Sequence, residues 1–392
     1  MVGRFLSISG LQTLATGDTM RPCGLPLPPA FLLVSLLLPL VLSCGPEADD
    51  SGTRNVASSR TDLTGVPIVS ERWISPWDTT SNLDSPAVWM GEEESWVVAT
   101  AKGTHQLWVY DASTGDLLRT VGGPGEELGR FLRPNGIAVV GDLLLVVERD
   151  NHRIQALSLP DFRPRGAFGS QDLVRPYGIA LYRDDRGDLH LYVTDDYGNE
   201  VERPEGEPPT GDFTRRVKHF RLRTDDGLEA ELVDSFGEAG GPGALRVVES
   251  LQVDEEQDLL LVADEFGPEL EAYHLDGTYA GRSVARGLYR FGDPEGIMLY
   301  RCGGDGYWIL TDQGEGRTVF HVLDRRSLES LGSFAGEITA NTDGIWLTQE
   351  AIPGLGQGGL FALHDDGGLS AFAWNDIAQA LGLRSGCPPP GI

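Results

Sequence analysis

One pattern recurs from residue 84 almost to the end of the chain, and it restricts the fold more than any other feature. A turn ending in Gly-Ile or a similar pair opens an apolar segment. A second apolar segment follows and ends in charged residues, and a third, alternating segment comes after it. The openings are Pro86-Ala87-Val88-Trp89, Pro134-Asn135-Gly136-Ile137, Pro176-Tyr177-Gly178-Ile179, Glu249-Ser250-Leu251, Pro294-Glu295-Gly296-Ile297 and Thr342-Asp343-Gly344-Ile345. From Ala87 through Gly136, Gly178, Ser250 and Gly296 to Gly344 the steps are 49, 42, 72, 46 and 48 residues. Repeats of about 40–50 residues that hold several short strands are propeller blades. Six openings predict an all-β, six-bladed β-propeller in a single domain spanning residues 66–384. The long step contains the run from Glu200 to Pro209, rich in Glu and Pro, which reads as an excursion loop inside the third blade. The segment Val66 to Ile74 is a candidate outer strand that closes the last blade against the first.

The front of the chain reads as a targeting device. Phe31 to Leu42 is almost purely apolar, too short for a bilayer span and right for a signal-peptide core, with Arg21 as its positive flank. Val41-Leu42-Ser43-Cys44 has the form of a bacterial lipobox, in which Cys44 is diacylated after cleavage. Residues 1–44 are thus a signal peptide, with Met20 an alternative start, and the Ser-, Asp-, Thr- and Gly-rich residues 45–65 are a flexible tether. The expectation is an exported protein, lipid-anchored to the bacterial cell envelope, at the outer membrane or in the periplasmic or extracellular space. Cys23 leaves with the signal, so Cys302 and Cys387 remain, and an oxidising compartment permits a disulfide between them. Residues 385–392 form a C-terminal tail.

Propeller geometry turns the repeat into a candidate site. The innermost strand of each blade lines the central channel and the next strand runs back. The start of the first and the end of the second therefore share one face near the axis. At the strand starts stand Asp84, Asn135, Tyr177, Glu249, Asp293 with Glu295, and Asp343. At the ends of the returning strands, one aligned column holds Lys102, Arg149, Asp196, Glu265, Gln313 and Asp365. Single Asp and Asn residues at such places often serve only turns. Carboxylates converging on one axis are different, because they cannot all stay ionised without cations. Hard oxygen ligands in an irregular cluster suit calcium. The chain carries 59 acidic and 31 basic residues, a net charge of −28, which argues against nucleic acid as a partner. Bound calcium would invert the local field and admit an anion to this acidic protein. Lys102 and Arg149 on adjacent blades form a cationic sector of the kind that holds phosphate oxygens.

At this point the residues resemble the β-propeller phytase family. Ser81-Asn82-Leu83-Asp84-Ser85-Pro86-Ala87-Val88-Trp89 is similar to that family's Asp-Asp-Pro-Ala-Ile-Trp opening. Tyr177-Gly178, Glu249, Ala263-Asp264-Glu265, Asp293-Pro294-Glu295-Gly296, Gln313-Gly314 and Thr342-Asp343-Gly344-Ile345 follow in family order. Gly359-Leu360-Phe361, Trp374 and Ile377-Ala378 resemble its last blade and closing helix. The resemblance implies a calcium-dependent phosphomonoesterase acting on phytate or a related ester through a metal-activated water. It implies Asp84, Tyr177, Glu249, Glu265, Asp293, Glu295 and Gln313 as calcium ligands, with Asp343 joining them. It implies Lys102, Arg149 and Tyr177 as phosphate holders, with Tyr177, Glu249, Glu265 and Glu295 at the catalytic centre of a monomer. The chain departs from the pattern at four places. Asp196 stands where the family has a lysine, Ser85 replaces the second opening acid, Trp346 replaces a later acid, and Asn135-Gly136-Ile137 is a reduced form of a longer motif.

Two other readings compete. Phe131-Leu132-Arg133-Pro134-Asn135-Gly136-Ile137-Ala138 with Asn151-His152-Arg153-Ile154 resembles an NHL repeat, found in propellers that are often non-catalytic binding platforms. Gluconolactonase-like hydrolases also have six blades but use one central cation and need no cationic sector. His105, His152, His190, His219, His274, His321 and His364 show no metal spacing, and the sequence has neither a Gly-x-Ser-x-Gly elbow nor a P-loop.

Overall fold

Each repeat folds as a four-stranded antiparallel sheet because its apolar segments are short, rich in β-branched and aromatic residues and bounded by Gly, Pro and Asp turns. The computed structural model describes residues 63–198, 211–224, 227–267 and 269–389. The segment predicted as a signal peptide, Cys44, nearly all of the predicted tether and the Glu200–Pro209 run lie outside the described residues.

The chain opens with β1 (Trp73–Ile74). The first blade is β2 (Leu83–Met90), β3 (Ser95–Ala101), β4 (Gln106–Asp111) and β5 (Leu117–Gly122), and the second is β6 (Pro134–Val140), β7 (Leu143–Glu148), β8 (Arg153–Ser158) and β9 (Arg163–Phe168). The third is β10 (Pro176–Arg183), β11 (Leu189–Asp195), β12 (Val217–Arg223) and β13 (Glu229–Phe236), and the fourth is β14 (Val248–Asp254), β15 (Leu259–Asp264), β16 (Glu269–Tyr273) and β17 (Tyr279–Val284). The fifth is β18 (Gly292–Cys302), β19 (Asp305–Gly314), β20 (Val319–Asp324) and β21 (Ser330–Ala335). In the last blade β22 (Ile345–Ile352), β23 (Gly356–His364) and β24 (Gly368–Ala373) are completed by β1, in the sheet order β1-β24-β23-β22. The N-terminal strand therefore closes the ring, as the sequence predicts, with Trp73 opposite Ala371 and Ile74 opposite Ser370. The molecule is a six-bladed β-propeller in a single domain.

The apolar core is divided among the gaps between neighbouring blades. Leu145, Val147 and Ile154 of the second blade pack with Leu191, Val193 and Phe220 of the third, for example. Helix α1 (Trp374–Leu381) buries Trp374, Ile377 and Ala378, and the Trp374 ring stacks on Tyr300 at 4.1 Å. Gly382, with a φ of 69°, ends the helix in the left-handed conformation that glycine adopts at no steric cost. Cys302 at the end of β18 and Cys387 in the tail form a disulfide.

Two local devices bring the strand starts together at the axis. In five blades the innermost pair slips register at the same place, between Leu83 and Pro86, Pro134 and Ile137, Pro176 and Ile179, Val248 and Leu251, and Pro294 and Ile297. Asp84-Ser85, Asn135-Gly136, Tyr177-Gly178, Glu249-Ser250 and Glu295-Gly296 each oppose a single partner residue. A bulge of this kind bends the strand and re-aims a side chain. The second device is the small residue that follows each ring residue. A Cβ on Gly136 would lie 2.4 Å from the Tyr177 carbonyl oxygen, on Gly178 2.5 Å from that of Glu249, and on Gly344 2.6 Å from that of Asp84. Glycine is thus what lets each inner strand approach the ring residue of the next blade. Gly178→Ala is expected to destabilise the fold by about 1–3 kcal/mol. Gly240→Ala, at a site with no atom within 4 Å, should stay within about 0.5 kcal/mol of the parent. Urea unfolding of the two variants checks the contrast.

Candidate functional site

The ring residues collect into two acidic groups on one mouth of the channel. In the first, carboxylate oxygens of Glu249 on β14, Glu265 just after β15 and Glu295 on β18 all lie within 4.8 Å of one another. In the second, the Lys102 Nζ stands 2.7 Å from Asp84 Oδ1 and 3.0 Å from Asp343 Oδ2. That pairing is shielded from solvent, since Lys102 is 8% exposed and Asp84 2%. Gln313 Nε2 donates to Asp343 Oδ1 at 2.5 Å, and Ser85 Oγ donates to Asp84 Oδ2 at 2.9 Å. Below the ring the channel widens into a cavity of about 240 Å³ whose wall includes Ile137, Ile179, Leu251, Ile297 and Ile345.

Burial and mutual repulsion act together on the first group. Burial, then Glu265 and Asp84, push the Glu249 carboxyl well above the usual range. Burial, then Glu249 and Glu265, do the same to Glu295. Burial pushes Glu265 up to about 8, with Asp293, Asp196 and Asp343 adding to it and a hydrogen bond with Glu295 opposing it. The Tyr177 phenol is also raised, by burial first and then by Glu249 and Asp84, so it stays protonated as a donor. In the second group burial pulls the Lys102 ammonium down, but Asp84, Tyr177 and Asp343 more than offset it and hold it charged. Two oxygens bound to one calcium at 2.3–2.6 Å can be no more than about 5 Å apart. The three glutamates meet that limit and offer only hard oxygen donors, so the residues present fit a calcium ion.

The structure redistributes several of the predicted site residues. Glu295, not Asp293, occupies the ring position, because the bulge falls between Pro294 and Ile297; Asp293 is exposed at the rim near Glu265. Lys102, assigned to phosphate, is engaged by two carboxylates. Arg149, the other cation assigned to phosphate, turns its Nε to Asp150 Oδ1 at 2.7 Å. Asp196 is paired with arginines. It accepts from Arg216 at 3.2 Å and from Arg175 at 3.3 Å, and Arg216 is 1% exposed. In the last blade Asp365 is exposed, while Asp366 takes the place near Lys102 and Asp84.

Sequence reasoning missed a second column of acids, one residue earlier. Glu148, Asp195 and Asp264 end the second strands, Asp312 lies just before the end of β19, and all four are buried. They accept backbone N–H bonds from the loop that leads into the same blade's inner strand. Asp312 accepts from Arg290, Phe291 and Gly292, and Asp264 from Arg246, Val247 and Phe266. Strand alternation separates the two roles: in Asp264-Glu265 and Asp312-Gln313 the first residue holds the loop and the second faces the axis. Buried Glu148 likewise gathers Arg153 at 2.8 Å and Gln155 at 2.9 Å, which makes the Asn151-His152-Arg153 turn structural.

Comparison with known proteins agrees with that local reading. The NHL repeat family model matches residues 131–157, within the second blade. A search of curated protein sequences returns no match. Among solved structures, a chain of the crystal structure of a nidogen/laminin complex is similar at 16% identity, with a TM-score of 0.44 over 65% of this chain and 80% of that one. A likeness at that level does not bear on function. The chain is a six-bladed β-propeller with an NHL repeat in its second blade.

The Asp196 pairing yields a test of the clamp idea. Family likeness alone leads one to expect that Asp196→Lys restores a phosphate holder and raises phytate turnover. The buried guanidinium of Arg216 leads to the opposite expectation. Asp196→Lys should cost about 3–5 kcal/mol in denaturant unfolding, because it leaves Arg216 uncompensated and adds a like charge. A variant as stable as its parent, with more phosphate release, would contradict the structural assignment.

Proposed function

We propose that this protein is an exported, lipid-anchored binding propeller that takes a divalent cation, calcium by the chemistry of its donors, at Glu249, Glu265 and Glu295, and uses it to hold an anionic ligand at the channel mouth. One observation carries the reading: the carboxylates of these three residues, from adjacent blades, lie within 4.8 Å of one another. Neutralising their repulsion is worth more in this partly buried mouth than in water. A protein of net charge −28 needs such a local inversion to attract an anion. The NHL repeat in the second blade favours a binding platform over an enzyme. Anchoring at Cys44 rests on the lipobox alone.

Calcium-dependent phosphomonoester hydrolysis is the second reading, favoured by the Tyr177 phenol beside Glu249 and Glu295. Calcium at this site would supply positive charge to phosphate oxygens and a more acidic water. The protonated Tyr177 would donate to one ester oxygen. Against efficient turnover stand the engagement of Lys102 by Asp84 and Asp343 and of Arg149 by Asp150.

Two measurements on the purified protein separate the possibilities. Calcium at about a hundredfold over its Kd should stabilise the fold by about 2.7 kcal/mol, seen as a rise in melting temperature that a chelator reverses. Glu249→Gln and Glu295→Gln should each remove most of that response. A parent protein indifferent to calcium would end the cation reading. Phosphate release from phytate and from an aryl phosphate should be absent with or without calcium; calcium-dependent release would establish the second reading in place of the first.

A further inference from the structure

The two halves of the ring solve the same electrostatic problem differently. Among the described residues, no lysine or arginine pairs with Glu249, Glu265 or Glu295, whereas Asp84 and Asp343 share the Lys102 ammonium at 2.7 and 3.0 Å. We propose that Lys102 is a built-in substitute for a second metal ion: it fills the Asp84–Asp343 half of the ring, so the protein takes one divalent cation on its axis, and a neutral residue at position 102 opens a second cation site.

The surroundings of Lys102 are those of a cation site. Both carboxylates are held from behind, Asp84 by Ser85 and Asp343 by Gln313, so their second oxygens are already oriented. Asp366 lies within electrostatic reach of Lys102 and Asp84, and Asn82 Nδ2 holds its Oδ2 at 3.4 Å. Two carboxylates therefore contact one monovalent ammonium, with a third within electrostatic reach. An independent sign of a missing ligand comes from Asn135. It is fully buried, its amide nitrogen reaches Asp84 Oδ1 at 3.5 Å, and its carbonyl oxygen has no hydrogen-bond partner. A buried amide oxygen without a partner, on a side chain that reaches Asp84, is one more hard donor for an ion of the calcium type. Lysine has three donors in a fixed tetrahedral fork and satisfies fewer oxygens than a metal ion of six to eight ligands.

The single ion at the glutamates rests on the proposed function above, but the exclusion at Lys102 does not, and a count of bound ions separates them. Calcium bound per chain is measured by equilibrium dialysis and calorimetry on the whole protein, with calcium chloride as the only ligand. Glu249→Gln should bind one ion fewer than the parent. Lys102→Met should bind one ion more, with a larger calcium-induced rise in melting temperature than the parent shows. Asp84→Asn added to Lys102→Met should abolish the gain. An unchanged count in Glu249→Gln would remove the cation reading of the glutamates and leave the Lys102 increment standing. An unchanged count in a folded Lys102→Met overturns the inference. If Lys102→Met does not fold, Lys102→Gln takes its place. If neither folds, the parent decides by terbium luminescence: one axial ion supports the substitution and two axial ions overturn it.

Discussion

Repulsion among carboxylates pressed toward one axis is the constraint on which the rest of this structure depends. The chain is acidic throughout, yet the surface acids can spread their charge into water. The ring residues cannot, because the bulges at the strand starts aim them at each other and the surrounding blades exclude solvent. Every such carboxylate must be protonated, paired with a basic side chain or given to a bound cation. Asp84 and Asp343 share Lys102, and Asp196 is bound to Arg216 and Arg175. Glu249, Glu265 and Glu295 are raised toward protonation and, among the described residues, form a group whose geometry suits an ion.

The fold supplies this convergence at little local expense. A propeller brings six strand starts to one opening, and in five blades a bulge at the start turns an ordinary strand residue into an axial one. The glycines that follow allow neighbouring inner strands to meet backbone to backbone. The cavity beside the ring is lined by aliphatic residues such as Ile137, Ile179 and Ile297 together with Ser85, Ser250 and Gln252. Lys102 and Arg149, the basic residues of the aligned column, are paired with carboxylates of the chain itself.

Much of this was legible in the chain itself. The 42–49-residue steps identify the blades because each must repeat the same strand and turn chemistry. The axial positions follow from the same phase. Even the choice of Glu295 over Asp293 was readable, since Asn135, Tyr177 and Glu295 all stand between a proline and a glycine. What the sequence could not show is which charges meet across blades. Lys102 and Asp343 are 241 residues apart, and their pairing depends on ring closure by β1 and β24. Arg216 lies beyond the long third-blade excursion, so its claim on Asp196 leaves no trace in spacing. The buried acids that hold the loops, such as Asp264 and Asp312, were hidden beside their axial neighbours because adjacent strand residues face opposite ways.

The central claim is that Glu249, Glu265 and Glu295 jointly bind one divalent cation, and the direct measurement is crystallographic. Crystals grown with manganese in place of calcium should give a single strong anomalous peak on the channel axis, with oxygens of all three glutamates as its ligands. A map with no axial peak, or with the three carboxylates turned away from one another, would contradict the account.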